Sequence, residues 1–348
     1  MKMNPLGRTG MTVSAYCLGT MTWGTQTDEA DAHRQMDTSL AAGINFVDTA
    51  EMYPVNPIRA ETVGLTETYI GNWNAANKSR RGDYILATKH SGEGMSYVRD
   101  GAPISSKTIR ETLEGNLKRL QTDYIDLYQF HWPNRGSYQF RKNWTYDPTG
   151  IRAEEVRADM LDCLEALQKE VERGTIRAFG LSNESAWGTS QWLRLSEDHG
   201  LPRVASVQNE YSLMHRLYDT DMAEMSVAED VGLFSFSPLA TGFLTGKYAG
   251  GVKPKGSRAD INGSLGGRWT ERGLAAAEAY TALAAAHGVD PVHMAMEWSV
   301  SRPFLVCAIF GATSHAQLER ILAGVETGIS PELMDGIDKT HRAHPMPY

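Results

Sequence analysis

Four residues of this 348-residue chain carry side chains that could together transfer a proton to a carbonyl oxygen: Asp48, Tyr53, Lys89 and His131. A free phenol has a pKa of about 10 and is a poor proton donor at neutral pH. A nearby ammonium group lowers that pKa, and a carboxylate beside the ammonium keeps it charged and oriented. An imidazole can hydrogen-bond the reacting oxygen. The set therefore predicts proton transfer during reduction of a carbonyl or oxidation of an alcohol.

Each of these residues also has a structural interpretation when it is taken alone. Asp48 could be a capping or solvated acid, and Lys89 could extend its charged end to water. His131 could be a hydrogen-bonded core histidine, and Tyr53 could simply pack. Because the four together form a chemically coherent set, the catalytic interpretation is favoured.

Short apolar runs alternate with helical patterns along the whole sequence. Candidate strands are Ala15–Leu18, Asn45–Asp48, Tyr84–Lys89, Ile125–His131, Ile176–Ser182, Val204–Gln208, Leu233–Ser237 and Val306–Ile309. Candidate helices are Glu29–Ala41, Glu61–Asn74, Lys107–Leu120, Ala153–Glu172, Ala186–Glu197, Asp221–Ala228, Leu274–Ala286 and Ala316–Ala323. Continuous apolar runs are typical of parallel strands covered on both faces. The alternation predicts an α/β fold, a (β/α)8 TIM barrel, as one domain over residues 1–348.

In such a barrel, active-site residues project from the carboxyl ends of the strands. Polar residues end the second to sixth predicted strands; they are Asp48, Lys89, His131, Ser182 with Asn183, and Gln208 with Asn209. Tyr53 lies in the loop that follows Asp48. The barrel would therefore bring all of these residues to one end.

Two long loops and an N-terminal turn interrupt the alternation. Pro133–Gly150 follows the fourth predicted strand and is rich in aromatic residues, and Ala240–Gly267 follows the seventh and is rich in Gly, Lys and Arg. Long loops in compact domains are usually functional or disordered, and their position favours function here. The opening MNPLGRTGMTV resembles a β-hairpin around Gly7–Gly10 that could plug the bottom of the barrel.

A doubly wound sheet is the alternative fold, and it would normally carry a G-x-G-x-x-G turn after its first strand. The chain has no such motif, and GFLTGK at 242–247 has the wrong spacing for a phosphate loop. A nucleotide would therefore be bound in another way.

Composition excludes several classes of partner. With 34 Lys and Arg against 42 Asp and Glu, the formal charge is −8, which argues against nucleic acid and anionic membranes. We find no apolar run long enough to span a bilayer, no signal peptide and no metal-binding motif. Cys17, Cys163 and Cys307 are expected to be buried free thiols in a cytoplasmic protein.

Seven segments carry a more specific pattern. They are NFVDTAEMY (45–53), ATKH (87–90), LYQFHWP (127–133), FGLSNES (179–185), VQNEYS (207–212), SPLATGFLTGKY (237–248) and FGATSHAQLE (310–319). In this order and spacing they resemble the aldo-keto reductases over essentially the whole chain. LGTMTWG at 18–24 and ETYIGNW at 67–73 support the Tas-type bacterial branch, and the potassium-channel β-subunit branch is also similar.

The resemblance implies an NADP(H)-dependent carbonyl reductase on a (β/α)8 barrel. Tyr53 would be the general acid, Lys89 the partner that lowers its pKa, and Asp48 the partner of Lys89. His131 would orient the substrate carbonyl.

The resemblance also implies a cofactor site. Ser182, Asn183 and Gln208 would hydrogen-bond the nicotinamide carboxamide, and Phe236 would stack on its ring. Ser237 and Leu239 would approach the pyrophosphate, and Lys247 and Arg258 would contact phosphates. The adenosine 2′-phosphate end would be held by Gly311, Thr313, Ser314 and Gln317. Further implied cofactor contacts are Gly19, Thr20, Met21, Trp23, Asp48, Pro238, Ala240 and Gly242.

Arg320-Ile321 departs from the related branch, which usually has Glu-Asn after the Gln-Leu pair. Ile321 cannot hydrogen-bond adenine as the Asn would, and Arg320 is the candidate to meet the 2′-phosphate instead.

Trp23 and Trp132, with Tyr53 and His131, are the predicted substrate contacts, for a small carbonyl or alcohol. Two other functions stay open from the sequence. Lys89 could form a Schiff base, as in a class I aldolase, or the barrel could be a binding module that senses NADP(H) without turnover.

Overall fold

The computed structural model describes all 348 residues and contains a closed barrel of parallel strands. An antiparallel hairpin, β1 (Met3–Pro5) with β2 (Thr12–Ser14), precedes it. The barrel strands are β3 (Tyr16–Gly19), β4 (Phe46–Asp48), β5 (Ile85–His90), β6 (Ile125–Phe130), β7 (Ile176–Ser182), β8 (Val204–Glu210), β9 (Gly232–Phe236) and β10 (Leu305–Phe310). They are neighbours in chain order, and β10 closes the barrel against β3. The (β/α)8 prediction and the hairpin are confirmed.

Helices fill the connections between strands. They are α1 (Glu29–Ala41), α2 (Leu65–Ala76), α3 (Ser106–Leu120), α4 (Ala153–Glu172), α5 (Ala186–His199), α6 (Asp221–Glu229), α7 (Arg258–Ile261), α8 (Glu271–Ala286), α9 (Pro291–Val300), α10 (His315–Leu322) and α11 (Pro331–Ala343). None of them is both long and apolar enough to cross a membrane. As predicted, long loops follow β6 and β9, with only short helical turns such as Lys142–Trp144 and Ala240–Thr245.

The helices form where capping and apolar spacing agree. Ser105 caps α3 by accepting a hydrogen bond from the backbone N–H of Thr108, while the Thr108 hydroxyl accepts one from the backbone N–H of Ser105. This reciprocal cap satisfies backbone donors that a helix end leaves free. Ile109, Leu113 and Leu120 are buried on one face of the helix. Burial of that face fixes α3 against the barrel.

The N-terminal hairpin closes the amino end of the barrel. Leu6, Met11 and Val13 are buried in one cluster with inward-facing strand residues such as Phe46 and Phe234. Gly7 lies against the start of β8: a Cβ there would be 2.7 Å from the Ala205 carbonyl oxygen, and its φ of +49° favours glycine. The predicted plug is therefore present, and the carboxyl end of the barrel is the end left for a site.

One predicted helix starts at the wrong residue, and three helices were not predicted. Helix α2 begins at Leu65 and not at Glu61, because Gly64 adopts a left-handed φ of +81° that interrupts the helix. Helices α7, α9 and α11 were not predicted. Seven of the ten residues of α9 are buried, so its sequence has no polar face to reveal a helical period.

Candidate active site

The ends of β4, β5 and β6 bring the predicted proton-transfer residues together. Lys89 is fully buried, and its Nζ donates to Asp48 Oδ2 at 2.5 Å and to the Thr49 carbonyl oxygen at 2.8 Å. The same Nζ lies 5.0 Å from the centre of the Tyr53 ring, close enough for its charge to act on the pKa of the phenol. The Tyr53 and His131 rings meet edge to face with centroids 5.8 Å apart. Acid, ammonium, phenol and imidazole thus form one contiguous group.

Burial keeps the Tyr53 phenol protonated. Removal from water raises the pKa of Tyr53 above its ordinary value, and Asp48 adds to this, while Lys89 acts in the opposite direction. The predicted effect of Lys89 has the expected sign, but burial outweighs it. The phenol is therefore a proton donor at neutral pH, and the ammonium limits how far its pKa rises.

Lys89 is charged at neutral pH, whereas His131 is neutral. Burial lowers the pKa of Lys89, but Asp48 and Tyr53 outweigh it, so the net shift is upward and the ammonium stays charged. Burial and the nearby Lys89 charge hold the pKa of His131 well below its usual range. The imidazole is therefore neutral, and its Nδ1 is buried without a hydrogen-bond partner. A neutral imidazole with a free tautomer can present Nε2–H to a substrate oxygen.

Gln129 belongs to this group, and the sequence reasoning missed it. Its Nε2 donates to Asp48 Oδ1 at 3.1 Å, and Gln208 Nε2 donates to the same oxygen at 2.8 Å. Gln129 lies two residues before His131, so both side chains point into the barrel. A lone amide inside the buried strand IDLYQF was the signal that could have revealed it.

The predicted nicotinamide-binding residues lie beside this group. Asn183 Nδ2 donates to the His131 carbonyl oxygen at 2.9 Å and to Ser182 Oγ at 3.1 Å. Ser182 Oγ donates to the Gln208 carbonyl oxygen at 2.8 Å. Asn183 Oδ1 is buried with no partner, and a carboxamide N–H is a donor that would satisfy it. Phe236 ends β9 half-buried, where its ring is accessible for stacking.

The loop after β9 has a backbone and charges suited to phosphate. The backbone around Pro238 and Leu239 is irregular. Positive φ angles occur at Ser237, before these two residues, and at Ala240, Thr241 and Gly242, after them. Lys247 and Arg258 form no ion pair with any carboxylate. Burial, with the nearby Arg268 charge, lowers the pKa of Arg258 to about 10, and its Nε is buried without a partner. Unpaired guanidinium and ammonium groups of this kind fit phosphate oxygens.

The predicted 2′-phosphate residues lie together after β10. Gln317 Oε1 accepts from the Thr313 backbone N–H at 3.0 Å and from the Thr313 hydroxyl at 3.2 Å. Gly311 is exposed, and Ser314 begins α10 as its N-cap residue. These residues leave an open surface at the start of α10.

Arg320 and Ile321, which depart from the related branch, lie in an ion pair and in the core respectively. Arg320 forms a forked ion pair with Asp290, with Nε–Oδ2 at 2.8 Å and Nη2–Oδ1 at 2.9 Å. Burial lowers the pKa of Lys247, and the nearby Arg258 and Arg320 charges add to this effect. Ile321 is only 4% exposed and packs into the core. The guanidinium of Arg320 is therefore held by Asp290 near Lys247, whereas Ile321 contributes to packing.

Three of the predicted contacts before α1 are deeply buried or tightly packed; they are Gly19, Thr20 and Trp23. Trp23, a predicted cofactor and substrate contact, is fully buried in the main core cluster. Thr20 is also fully buried, and its hydroxyl donates to the Asp48 carbonyl oxygen at 2.9 Å. Gly19 packs tightly on β10, where a Cβ would be 2.9 Å from the Phe310 carbonyl oxygen. Gly19 and Thr20 therefore pack against the ends of β10 and β4 at the carboxyl end of the barrel.

An apolar wall surrounds Tyr53 on its exposed side. Trp132, a predicted substrate contact, packs on His131 with ring centroids 5.0 Å apart. Partly buried apolar side chains complete this wall with Ala50, Met52 and Val98; they are Met21, Val55, Val63, Met95 and Trp132. The phenol is 8% exposed within it. The site therefore offers an apolar surface beside one protonated phenol.

Comparisons with known proteins identify the family. The family model described as the aldo/keto reductase family matches residues 15–342. Protein tas of Escherichia coli is 40% identical over 353 residues, covering 100% of this chain and 99% of that protein. The uncharacterized oxidoreductase YrpG of Bacillus subtilis is 33% identical over 340 residues, covering 96% and 94%. A probable voltage-gated potassium channel subunit beta of Oryza sativa is 29% identical, covering 99% and 98%. The chain therefore belongs to the aldo/keto reductase family of oxidoreductases, in the branches that its motifs predicted.

Proposed function

We propose that this protein reduces aldehydes or ketones to alcohols with NADP(H), reversibly, and that Tyr53 is the proton donor. The observation that carries the proposal is the position of the Lys89 ammonium, held by Asp48, 5.0 Å from the ring of a protonated phenol. A neutral imidazole, that of His131, lies beside that phenol, and the unsatisfied amide oxygen belongs to Asn183, which hydrogen-bonds the His131 backbone. This arrangement suits a reaction in which a carbonyl oxygen gains negative charge and then a proton.

The roles of the residues follow from their charges. As negative charge develops on the carbonyl oxygen, Tyr53 Oη gives up its proton, and Lys89 stabilises the phenolate that remains. Asp48 keeps the ammonium charged and directed at the phenol. His131 donates a second hydrogen bond to the same oxygen. In the reverse direction the phenolate takes the alcohol proton. When bound, the reduced nicotinamide supplies the hydride.

The residues present fit that cofactor. Asn183 Oδ1 and Ser182 would hold the carboxamide, and Phe236 would cover the ring. Lys247 and Arg258 would meet the phosphates, since neither charge is neutralised within the protein. Thr313, Gln317 and the nearby Arg320 charge would favour a 2′-phosphate, which distinguishes NADPH from NADH.

A panel of aldehydes and ketones tests the proposal, with NADPH consumption followed by absorbance and NADH run in parallel. We expect turnover of apolar and aromatic carbonyl compounds, with NADPH preferred. Absence of turnover across the panel, together with tight NADPH binding, would instead support a sensing module.

A Schiff-base function for Lys89 is disfavoured by the same geometry. Nucleophilic attack needs a neutral amine, but Asp48 and Tyr53 raise the pKa of Lys89 above its usual range. Lys89 is also fully buried, and its Nζ donates hydrogen bonds to Asp48 Oδ2 and the Thr49 carbonyl oxygen. Trapping of Lys89 by borohydride with a carbonyl substrate would support an aldolase instead.

A further inference from the structure

A second buried ion pair lies immediately beside the proton-transfer group and has no role in the chemistry described so far. Glu51 Oε2 pairs with Arg99 Nη1, and the two side chains are only 6% and 12% exposed. Glu51 follows Asp48 by three residues and precedes Tyr53 by two. Arg99 belongs to the loop between β5 and α3.

Glu51 joins the segment that carries Tyr53 to the end of the strand that carries Lys89. Its backbone N–H donates to the Lys89 carbonyl oxygen at 3.2 Å. Its Oε1 accepts from the backbone N–H of Ser91 at 2.5 Å. Glu51 therefore holds the backbone on both sides of His90, and it extends the β4–β5 pairing beyond the ends of the two strands.

Arg99 completes this connection from the other side. Its Nη2 donates to the Ser91 carbonyl oxygen at 3.0 Å, while its Nη1 holds the Glu51 carboxylate. The forked guanidinium thus spans a side chain of one segment and the backbone of the other, which a lysine could not do with the same geometry.

Arg99 adopts a conformation that non-glycine residues rarely adopt. Its φ is +48°, and the next residue, Asp100, has a φ of +54°. Residues persist in this region when surrounding contacts hold them there, and such positions cluster at functional sites. A buried ion pair also contributes little net stability, because desolvation offsets the attraction. Both points favour a geometric function for the pair over a purely stabilising one.

We propose that Glu51 and Arg99 are positioning residues that fix the distance between the Tyr53 hydroxyl and the Lys89 ammonium. The inference rests on the proposed function, since Tyr53 and Lys89 are its proton-transfer pair. Neither Glu51 nor Arg99 touches the reacting atoms. Loss of the pair would let the loop after β4 move relative to β5, and a small displacement in a proton-transfer geometry costs rate.

Glu51→Gln, Arg99→Met and the double variant test this, with Arg99→Lys as the conservative change. We expect each single variant to lower kcat for carbonyl reduction by about tenfold or more, while KM and Kd for NADPH stay unchanged. The double variant should be no slower than the worse single variant, because both changes remove one interaction. Arg99→Lys should recover part of the lost rate. The isotope effect on hydride transfer from deuterated NADPH should rise as chemistry becomes limiting.

Arg81→Met is the matched control. Arg81 is similarly buried and pairs with Asp126 at 2.8 Å, but it lies at the amino end of β5 and β6, away from the site. We expect it to lower the free energy of unfolding without changing kcat of the folded protein. A structural role alone for Glu51 and Arg99 would give that same result.

Two outcomes would overturn the inference: one removes the positioning role alone, and the other removes the proposed function as well. If the wild type reduces carbonyl compounds and both single variants retain kcat within about twofold, Glu51 and Arg99 do not position the pair. If the wild type reduces none, the proposed function fails and this inference fails with it. Should Arg99→Met yield no folded protein, wild-type kcat in Arg99→Lys and Glu51→Gln would contradict the inference equally.

Discussion

Gln208 donates a 2.8 Å hydrogen bond from Nε2 to Asp48 Oδ1, so the residue predicted to hold the nicotinamide also contacts the carboxylate that holds Lys89. Gln129 makes a parallel contact to the same oxygen at 3.1 Å. The predicted cofactor site and the predicted proton-transfer group therefore share one buried acid. A substitution of Gln208 should therefore affect proton transfer by Tyr53 and Lys89 as well as NADPH binding.

Replacing the two glutamines by leucine should separate their roles. Gln129→Leu should lower kcat about tenfold with little change in NADPH affinity, because a hydrogen bond to a buried charge contributes about 1.5–3 kcal/mol. Gln208→Leu should lower kcat and weaken NADPH binding as well. Steady-state kinetics and fluorescence titration with NADPH measure both effects. Equal NADPH affinities in the two variants would remove Gln208 from the cofactor site.

Arg320→Ala tests the preference for NADPH. A charged hydrogen bond to phosphate contributes about 1.5–3 kcal/mol, so the Kd for NADPH should rise about tenfold or more while that for NADH stays constant. Asp290→Asn is the control: it removes the ion-pair partner of Arg320 and should preserve NADPH binding. An unchanged ratio of the two affinities in Arg320→Ala would show that this guanidinium does not meet the 2′-phosphate.

The pH dependence of turnover follows from the two shifted groups in the site. The pKa of Tyr53 is raised, so its proton-donating form persists through neutral pH and is lost only as pH rises past about 10, the ordinary value for a phenol. The pKa of His131 is far below its usual range, so its charge does not change near neutrality. We expect kcat for reduction to be flat between about pH 6 and 9, and alcohol oxidation to accelerate with pH. A step in reduction near pH 6.5, the usual histidine value, would contradict the neutral imidazole.

Glu210 ties the two long loops together and should be needed for stability. Its Oε1 accepts from Arg268 at 2.8 Å, and its Oε2 accepts from Arg141 at 2.7 Å. Glu210→Gln breaks a buried ion pair, and we expect the free energy of unfolding at neutral pH to fall by about 3–5 kcal/mol. The exposed change Glu224→Gln is the control and should have little effect. Urea denaturation measures both, and equal midpoints would refute the role of Glu210.

The same carboxylate predicts a loss of stability in acid. Burial raises the pKa of Glu210, but Arg268, His215 and Arg141 outweigh it and bring the pKa to about 2. Its unfolded value is about 4.3, so its contribution is present above that pH and is lost as pH falls toward 2. The difference in stability between wild type and Glu210→Gln should therefore shrink over that interval.

The barrel, and the meeting of Asp48, Tyr53, Lys89 and His131 at one end of it, could be predicted from the sequence because both leave local patterns. Buried parallel strands are continuous apolar runs, and polar residues at their ends interrupt those runs visibly, as at Asp48 and Lys89. The barrel topology then determines that such ends converge, which explains why residues remote in sequence meet in the structure.

Burial and pairing were harder to predict, because they depend on neighbours distant in sequence. Trp23 and Thr20 lie in a motif shared with the family, yet both are fully buried. The ion pair of Arg320 with Asp290 joins residues 30 positions apart and has no periodic signature. The net pKa of Tyr53 depends on burial, whereas the residue types alone indicate only the opposing effect of Lys89.

Kinetics of Tyr53→Phe test the central claim most directly, since this change removes the phenolic hydroxyl and keeps the ring. A donor directed at a developing oxyanion contributes about 3 kcal/mol, so we expect kcat for carbonyl reduction to fall by at least about a hundredfold, with NADPH bound as tightly as by the wild type. Turnover close to that of the wild type in this variant would show that another group protonates the product.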